Sequence, residues 1–206
     1  MWETAAETLI KHRLHRHPGQ NEPHHTGTSM EAVMTANRMR FASLALLGIP
    51  TLSFQPAIAA VTSPPEHEAR LAACIRDAAS GRAWLEKTLW GLRDQEGGWV
   101  GAELPNGNGS HDLGPLQVNS YWVPKIATMV SRRPAAVRAW LIADPCFNVQ
   151  AARWIFLSGL HTTGDYWKAI GVYHSPKASR QRMYVASVSR HLARRFGRSA
   201  FSAHRP

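Results

Sequence analysis

The feature that most restricts the fold is a glycine-rich stretch, residues 97–119, which interrupts an otherwise helical pattern. It contains six glycines, two prolines and two Asn-Gly steps, a composition typical of tight turns between short extended pieces. Helical patterning precedes it over 67–80 and 83–96, and follows it in five segments that include 134–143. The sequence therefore predicts a mainly α (α+β) fold, with a small β-hairpin or loop region between the second and third helices.

Residues 38–60 have the order of a secretory signal peptide: two arginines, an apolar stretch and a small-residue end, Ala-Ile-Ala-Ala. Their longest apolar run is far shorter than the roughly 18 residues of a membrane span, and a buried internal helix is the alternative. Because signal peptides start a chain, we expect translation to begin at Met30, Met34 or Met39, which makes residues 1–37 a disordered upstream extension. A signal peptide predicts a periplasmic protein with no stable membrane span.

Beyond the signal peptide we expect a linker over 61–68, a folded domain over 69–190 and a basic C-terminal tail over 191–206. The chain has only two cysteines, Cys74 and Cys146. An even pair of cysteines in an exported chain favours a disulfide over two thiols.

The formal net charge is +10, and residues 175–206 hold eight Lys or Arg with no Asp or Glu. Such a charge indicates an anionic partner, which is a nucleic acid, a membrane surface or an acidic polymer. Export and the lack of a recognised binding motif argue against a nucleic acid. A solvated basic helix with a frayed end is the alternative to any partner.

A carboxylate, Glu96, stands in line with an apolar helix face. Leu85, Leu89 and Leu92 precede it at spacings of three or four residues, so all four side chains lie on one face. Burial on that face and the negative end of the helix dipole should raise the pKa of this carboxyl. A glutamate that stays protonated near neutral pH is suited to general acid catalysis. The alternative is a solvated glutamate in a frayed last turn, followed by an ordinary glycine cap.

The segment 112–122 places polar groups directly in front of a new helix. The amide side chains of Gln117 and Asn119 both donate and accept hydrogen bonds, which suits the hydroxyl and acetamido groups of a sugar. Gly114 would let the backbone approach a ligand closely. The alternatives are an N-cap role for Asn119 and an ordinary loop position for Gln117.

Three motifs together resemble the soluble-type (SLT) superfamily of lytic transglycosylases: EGG at 96–98, DLGPLQVN at 112–119 and AIGVYHSP at 169–176. The likeness is strongest to the small members carried by conjugation and type IV secretion systems. Those have a catalytic glutamate before Ser-Gly or Gly-Gly, a DLGxMQIN element and a tyrosine-containing helix. The resemblance covers about residues 70–190 and implies a lysozyme-like fold.

The resemblance implies a single-acid reaction without metal or cofactor. Glu96 protonates the oxygen between N-acetylmuramic acid and N-acetylglucosamine, and the substrate's acetamido group stabilises the resulting positive charge. Glu96 then takes the proton from the 6-hydroxyl, which closes a 1,6-anhydro ring. Gln117, Asn119 and Tyr173 would orient the sugar. Asp112 is structural, or a second carboxylate of the kind that most glycosidases use.

The chain departs from the family pattern at Leu116, where methionine is usual, and at His174, where asparagine is usual. We therefore carry over Tyr173 only and expect His174 to be a surface residue. Trp99 and Trp122 flank the motifs and are candidate sugar platforms. Five other tryptophans fall in helical segments and are expected in the core: Trp84, Trp90, Trp140, Trp154 and Trp167.

The expected partners are peptidoglycan glycan strands and components of a secretion or conjugation apparatus. Two other functions remain open on the sequence. One is a muramidase that hydrolyses the same bond with water, and the other is a peptidoglycan-binding module without catalysis.

Overall fold

The structure, a computed structural model, describes residues 65–198. The predicted upstream extension and signal peptide lie outside the described residues, as do the last eight residues of the predicted tail. The described residues form seven α-helices and one small antiparallel sheet, which confirms the mainly α (α+β) class. None of the helices in this part of the chain combines the length and the apolar character that crossing a bilayer requires.

Two helices precede the sheet: α1 (Pro65–Ala79) and α2 (Ala83–Glu96). The sheet has three strands in sequence order: β1 (Glu103–Pro105), β2 (His111–Leu113) and β3 (Val118–Asn119). A single 3-10 turn, Ser120–Trp122, leads from the sheet into the remaining helices. These are α3 (Val123–Val130), α4 (Pro134–Ala143), α5 (Pro145–Thr163), α6 (Tyr166–His174) and α7 (Ala178–Phe196). The glycine-rich stretch thus holds the whole sheet, as the turn composition predicts.

Helix α1 begins at Pro65, inside the stretch predicted as a linker. Proline is well tolerated at the first helical position because its missing N–H has no partner there in any case. Glu66 and Glu68 lie in the first turn, where negative charge complements the helix dipole. Helix α1 therefore begins four residues before residue 69, the predicted start of the folded domain.

The apolar face predicted for α2 is confirmed: Leu85, Leu89 and Leu92 are fully buried. Helix α7 packs against this helix and against α6. The crossing with α7 is close at Gly91, where a Cβ atom would come within 2.6 Å of Leu192 Cδ2. This close packing carries the first half of α7 past the C-terminal end of α2, where Glu96 lies.

A disulfide joins Cys74 on α1 to Cys146 on α5, with the two Cα atoms 4.8 Å apart. The bridge ties the first helix to α5, which packs against α1, α4 and α6. The two cysteines are 72 positions apart. In the chain-entropy account, closing such a loop stabilises the fold by about 3–5 kcal/mol.

Of the five tryptophans expected in the core, Trp154 is buried. Two others, Trp90 and Trp140, are partly buried and pack against the core. The expectation is wrong for Trp84 and Trp167, which are 40% and 37% exposed. Both stand at the second position of a helix, α2 and α6. Helical spacing places a residue on a face, but the first turn of that face can extend beyond the core.

Candidate active site

Glu96 is the last residue of α2, and the helix ends because Gly97 adopts the left-handed conformation, φ 61°. The N–H of Gly97 donates to the carbonyl of Arg93, which closes the last turn. The carboxyl is partly buried, and burial is the largest effect that raises its pKa, to about 7. The nearby negative charge of Asp112 raises the pKa further, whereas a hydrogen bond from Tyr184 lowers it.

The second glycine of the pair serves a different purpose. Gly98 is buried, and a Cβ atom there would overlap the carbonyl oxygen of Gly114 and come within 2.7 Å of the Gln117 amide nitrogen. The end of α2 can therefore close against the second motif only because residue 98 has no side chain. The glycine pair ends the helix and also brings the two motifs into contact.

Tyr184 is the direct partner of Glu96, and sequence reasoning missed it. Its phenol O–H donates to Glu96 Oε1, and the side chain is 5% exposed. One signal was present: Tyr184, Val188 and Leu192 form the apolar face of the otherwise basic helix α7. A buried tyrosine hydroxyl needs a hydrogen-bond partner, but the spacing does not say which group 88 residues away supplies it.

Asn119 is engaged with the protein rather than pointing its amide at open space. Its Nδ2 donates to Asp112 Oδ1 at 2.8 Å and to Ser110 Oγ at 3.0 Å. Its Oδ1 accepts from the N–H of Tyr121 at 3.0 Å, which makes it the N-cap of the 3-10 turn. Asn119 therefore has the N-cap role that the sequence left open as an alternative. Its hydrogen bond to Asp112 also holds that side chain in place.

Gln117 is 8% exposed, and its Nε2 donates to the carbonyl of Gly114 at 2.8 Å. Gly114 has a positive φ of 68°, and a Cβ atom there would overlap the carbonyl oxygen of Leu141 and the amide of Asn148. The glycine is thus required by contact with α4 and α5. The Cβ side of Gly114 therefore faces protein atoms, and the approach of a ligand to its backbone stays a prediction.

Asn148 on α5 hydrogen-bonds to the backbone of the second motif. The sequence analysis did not identify this residue. It is fully buried, and its Nδ2 donates to the carbonyls of Leu113 at 2.7 Å and Leu141 at 2.8 Å. Its Oδ1 accepts from the N–H of Leu116 at 2.9 Å. One side chain therefore satisfies three buried backbone groups around the turn that follows β2.

Tyr173 on α6 donates its phenol O–H to the carbonyl of Leu116 at 2.9 Å. Burial raises its pKa well above the usual value, and the negative charges of Glu96 and Asp112 contribute. The hydroxyl of Tyr173 is therefore bound to the backbone of the second motif, and the charges of both carboxyl groups act on it.

His174 is exposed, as expected, but it is also part of this site. Its imidazole stacks in parallel on Tyr184, with ring centroids 4.6 Å apart and planes 3° from parallel. Burial and the charge of Arg180 lower its pKa, whereas Asp112 acts in the opposite direction. His174 thus lies next to the tyrosine that contacts Glu96.

The two candidate sugar platforms differ in their surroundings, although both are partly exposed. Trp122 packs edge-on against Trp154, with centroids 5.5 Å apart, and belongs to the margin of the core. Trp99 directly follows the glycine pair, on the loop that leaves Glu96. Trp99 is therefore the candidate platform nearer to Glu96 along the chain.

Within residues 65–198, no group of three or more His, Cys, Asp or Glu side chains is arranged to hold a metal ion. The site combines three groups. Glu96 has a pKa of about 7, the phenol of Tyr184 donates a hydrogen bond to it, and the negative charge of Asp112 raises its pKa. A group with this pKa can deliver a proton near neutral pH and take one back.

No protein-family model matches the chain. It is 32% identical to Invasion protein IagB of Salmonella typhimurium over 96 residues, which are 44% of this chain and 56% of that protein. It is 29% identical to Protein IpgF of Shigella flexneri over 93 residues, which are 43% of this chain and 58% of that protein. The chain thus matches a little over half the length of these curated relatives.

Proposed function

We propose that this protein is a peptidoglycan lytic transglycosylase with a lysozyme-like fold. Cleavage of the bond between N-acetylmuramic acid and N-acetylglucosamine would leave 1,6-anhydro ends. The observation that carries the proposal is the state of Glu96, a partly buried carboxyl with a pKa of about 7 at the end of a helix. A binding module without catalysis has no use for such an acid.

One residue that acts first as acid and then as base must have a pKa near the working pH, so that neither proton transfer is strongly uphill. Glu96 meets this condition. The phenol of Tyr184 fixes one carboxyl oxygen, which would leave the other to face the glycosidic oxygen. Tyr173 and Gln117 would act mainly by shaping the second motif, since both hydrogen-bond to its backbone.

The wider role that we propose is local opening of the cell wall for a secretion or conjugation apparatus, after export to the periplasm. Two observations support this role. The matched relative IagB carries the name of an invasion protein, and the net charge of +10 suits an anionic wall polymer.

Product analysis tests the proposal. The purified protein is incubated with isolated peptidoglycan, and the soluble fragments are weighed by mass spectrometry. Fragments that end in 1,6-anhydro-muramic acid are expected. Reducing-end fragments, heavier by one water, would instead indicate a muramidase. The one observation that favours this second candidate is the charge of Asp112 close to Glu96, since hydrolysis requires a group that activates water.

The pH dependence of activity should report the pKa of Glu96. The first step needs the protonated carboxyl, so activity is expected to be full below about pH 7 and to fall about tenfold per unit above it. The measurement is kcat/KM for release of soluble fragments between pH 5 and 9. A profile that stays flat up to pH 9 would contradict the assignment.

Tyr184→Phe should shift this pH profile in a direction that the structure predicts. The phenol donates to the carboxylate and lowers the pKa of Glu96, so its removal should move the decline in activity to higher pH. Tyr166→Phe is the matched control, because it also removes a partly buried tyrosine hydroxyl, one that hydrogen-bonds to Thr88 in the first half of α2. The control should leave the position of the decline unchanged.

A further inference from the structure

Two basic residues at the start of α7 lie on the side of the helix that faces Glu96. Arg180 precedes Tyr184 by four residues, one helical turn, and therefore lies on the same face. Lys177 is the N-cap residue of α7 and precedes Tyr184 by two turns. Since Tyr184 contacts Glu96 directly, this spacing places both residues on the same side of α7 as that contact. We call Lys177 and Arg180 the basic rim.

His174 links the basic rim to the candidate active site. Its exposed ring stacks on Tyr184, and its pKa is lowered by burial and then by the charge of Arg180. The negative charge of Asp112 acts in the opposite direction and raises the pKa of the same histidine. The helical spacing with Tyr184 and the charge effect on His174 together place Arg180 on the His174 side of α7 and not on its far side.

No carboxylate within residues 65–198 forms an ion pair with the basic rim. Three arginines elsewhere in the described part of the chain pair closely with carboxylates: Arg93 with Glu68, Arg138 with Glu103, and Arg195 with Asp94. Lys177 and Arg180 are exposed, and neither makes an ion pair within residues 65–198. No Asp or Glu occurs in the sequence after residue 174.

The negative charge of Asp112, which acts on Glu96, should also repel an anionic substrate unless positive charge lies close by. We propose that the basic rim binds the carboxylates of the peptide stems that muramic acid residues carry in peptidoglycan. The bound stem orients the glycan strand over Glu96, and stems with free carboxylates are preferred over neutralised ones. This inference rests on the function proposed above and names the part of the substrate that the site recognises.

Charge reversal at matched positions tests the inference. Arg180→Glu is compared with Arg190→Glu, an exposed arginine on the same helix and about 15 Å further along its axis. Both variants change the net charge equally, so a general attraction affects them alike. The kcat and KM of each are measured on intact peptidoglycan, and on peptidoglycan whose carboxylates have been converted to amides with a small amine.

The expected result is a KM about three- to tenfold higher for Arg180→Glu on intact peptidoglycan, with kcat changed less than twofold. Arg190→Glu should change KM less than twofold. On the amidated substrate, Arg180→Glu and wild type should have the same KM. Lys177→Glu provides a second variant if Arg180→Glu has an altered circular dichroism spectrum.

Equal effects of Arg180→Glu and Arg190→Glu, or an effect of Arg180→Glu that persists on amidated peptidoglycan, would overturn the inference. Co-sedimentation of the Glu96→Gln protein with insoluble peptidoglycan, with and without Arg180→Glu, gives a separate readout that requires no cleavage. If wild type releases no fragments, the proposed activity fails. Binding by the basic rim is then tested by co-sedimentation alone. It is supported if Arg180→Glu weakens binding to intact but not to amidated peptidoglycan, and it is overturned otherwise.

Discussion

Replacing Glu96 with glutamine is expected to lower the rate of peptidoglycan cleavage by about 10²- to 10⁴-fold. The amide is of the same size but can neither give a proton to the glycosidic oxygen nor take one from the 6-hydroxyl. The measurement is fragment release by purified protein, followed by mass spectrometry. Glu86→Gln, on the same helix, is the matched control and should retain activity within twofold. Wild-type activity in the Glu96 variant would mean that another group is the acid.

The same substitution should stabilise the fold above neutral pH. The pKa of Glu96 is about 7 in the folded protein, against an ordinary value of 4.5. The folded state therefore binds more protons than the unfolded state between these values, and wild type loses stability as pH rises through this window. Glu96→Gln avoids that loss, on the order of 2–3 kcal/mol. Urea denaturation at pH 8 should show the gain, and at pH 4 it should be absent.

Asn148→Ala is expected to lower the free energy of unfolding by about 3–5 kcal/mol, because it leaves three buried backbone groups without partners. Those groups are the carbonyls of Leu113 and Leu141 and the N–H of Leu116. Urea unfolding followed by circular dichroism measures the loss. The turn after β2 should loosen as well, so activity should fall even at temperatures where the variant stays folded.

Asn108→Ala is the control for this prediction. Asn108 also accepts hydrogen bonds, from the N–H and the hydroxyl of Ser110, but at an exposed turn. Its loss should cost about 1 kcal/mol or less, because water replaces the lost partners. If Asn148→Ala costs no more than this control, the side chain does not hold the second motif in place.

The helices followed from local signals. The predicted segments 83–96 and 134–143 coincide with α2 and α4. Each is bounded by residues whose preferences act over one turn: the Gly-Gly stop after Glu96, and proline at the start of α4. The pairing of Cys74 with Cys146 could also be predicted from the sequence, because the chain has only two cysteines.

Glu96 could be identified from its helical spacing with three leucines and from the glycines that follow it. The residues that contact Glu96 or hold the second motif in place could not be identified in this way. Asn148 contacts groups 32 and 35 residues away, and Tyr184 reaches Glu96 across 88 residues. Nothing in the local pattern around either residue encodes such a separation. The same holds for His174, whose place beside Tyr184 depends on how α6 packs against α7.

The sequence by itself determined the helical class, the position of the sheet and the face on which Glu96 lies, since each depends on residues within a few positions of one another. The tertiary structure decided what surrounds the carboxyl. Helix α7 fits closely against α2 only because Gly91 leaves room for Leu192, and that fit brings Tyr184 to Glu96. The pKa of about 7 results from this packing, because burial and the charge of Asp112 raise it more than the Tyr184 hydrogen bond lowers it.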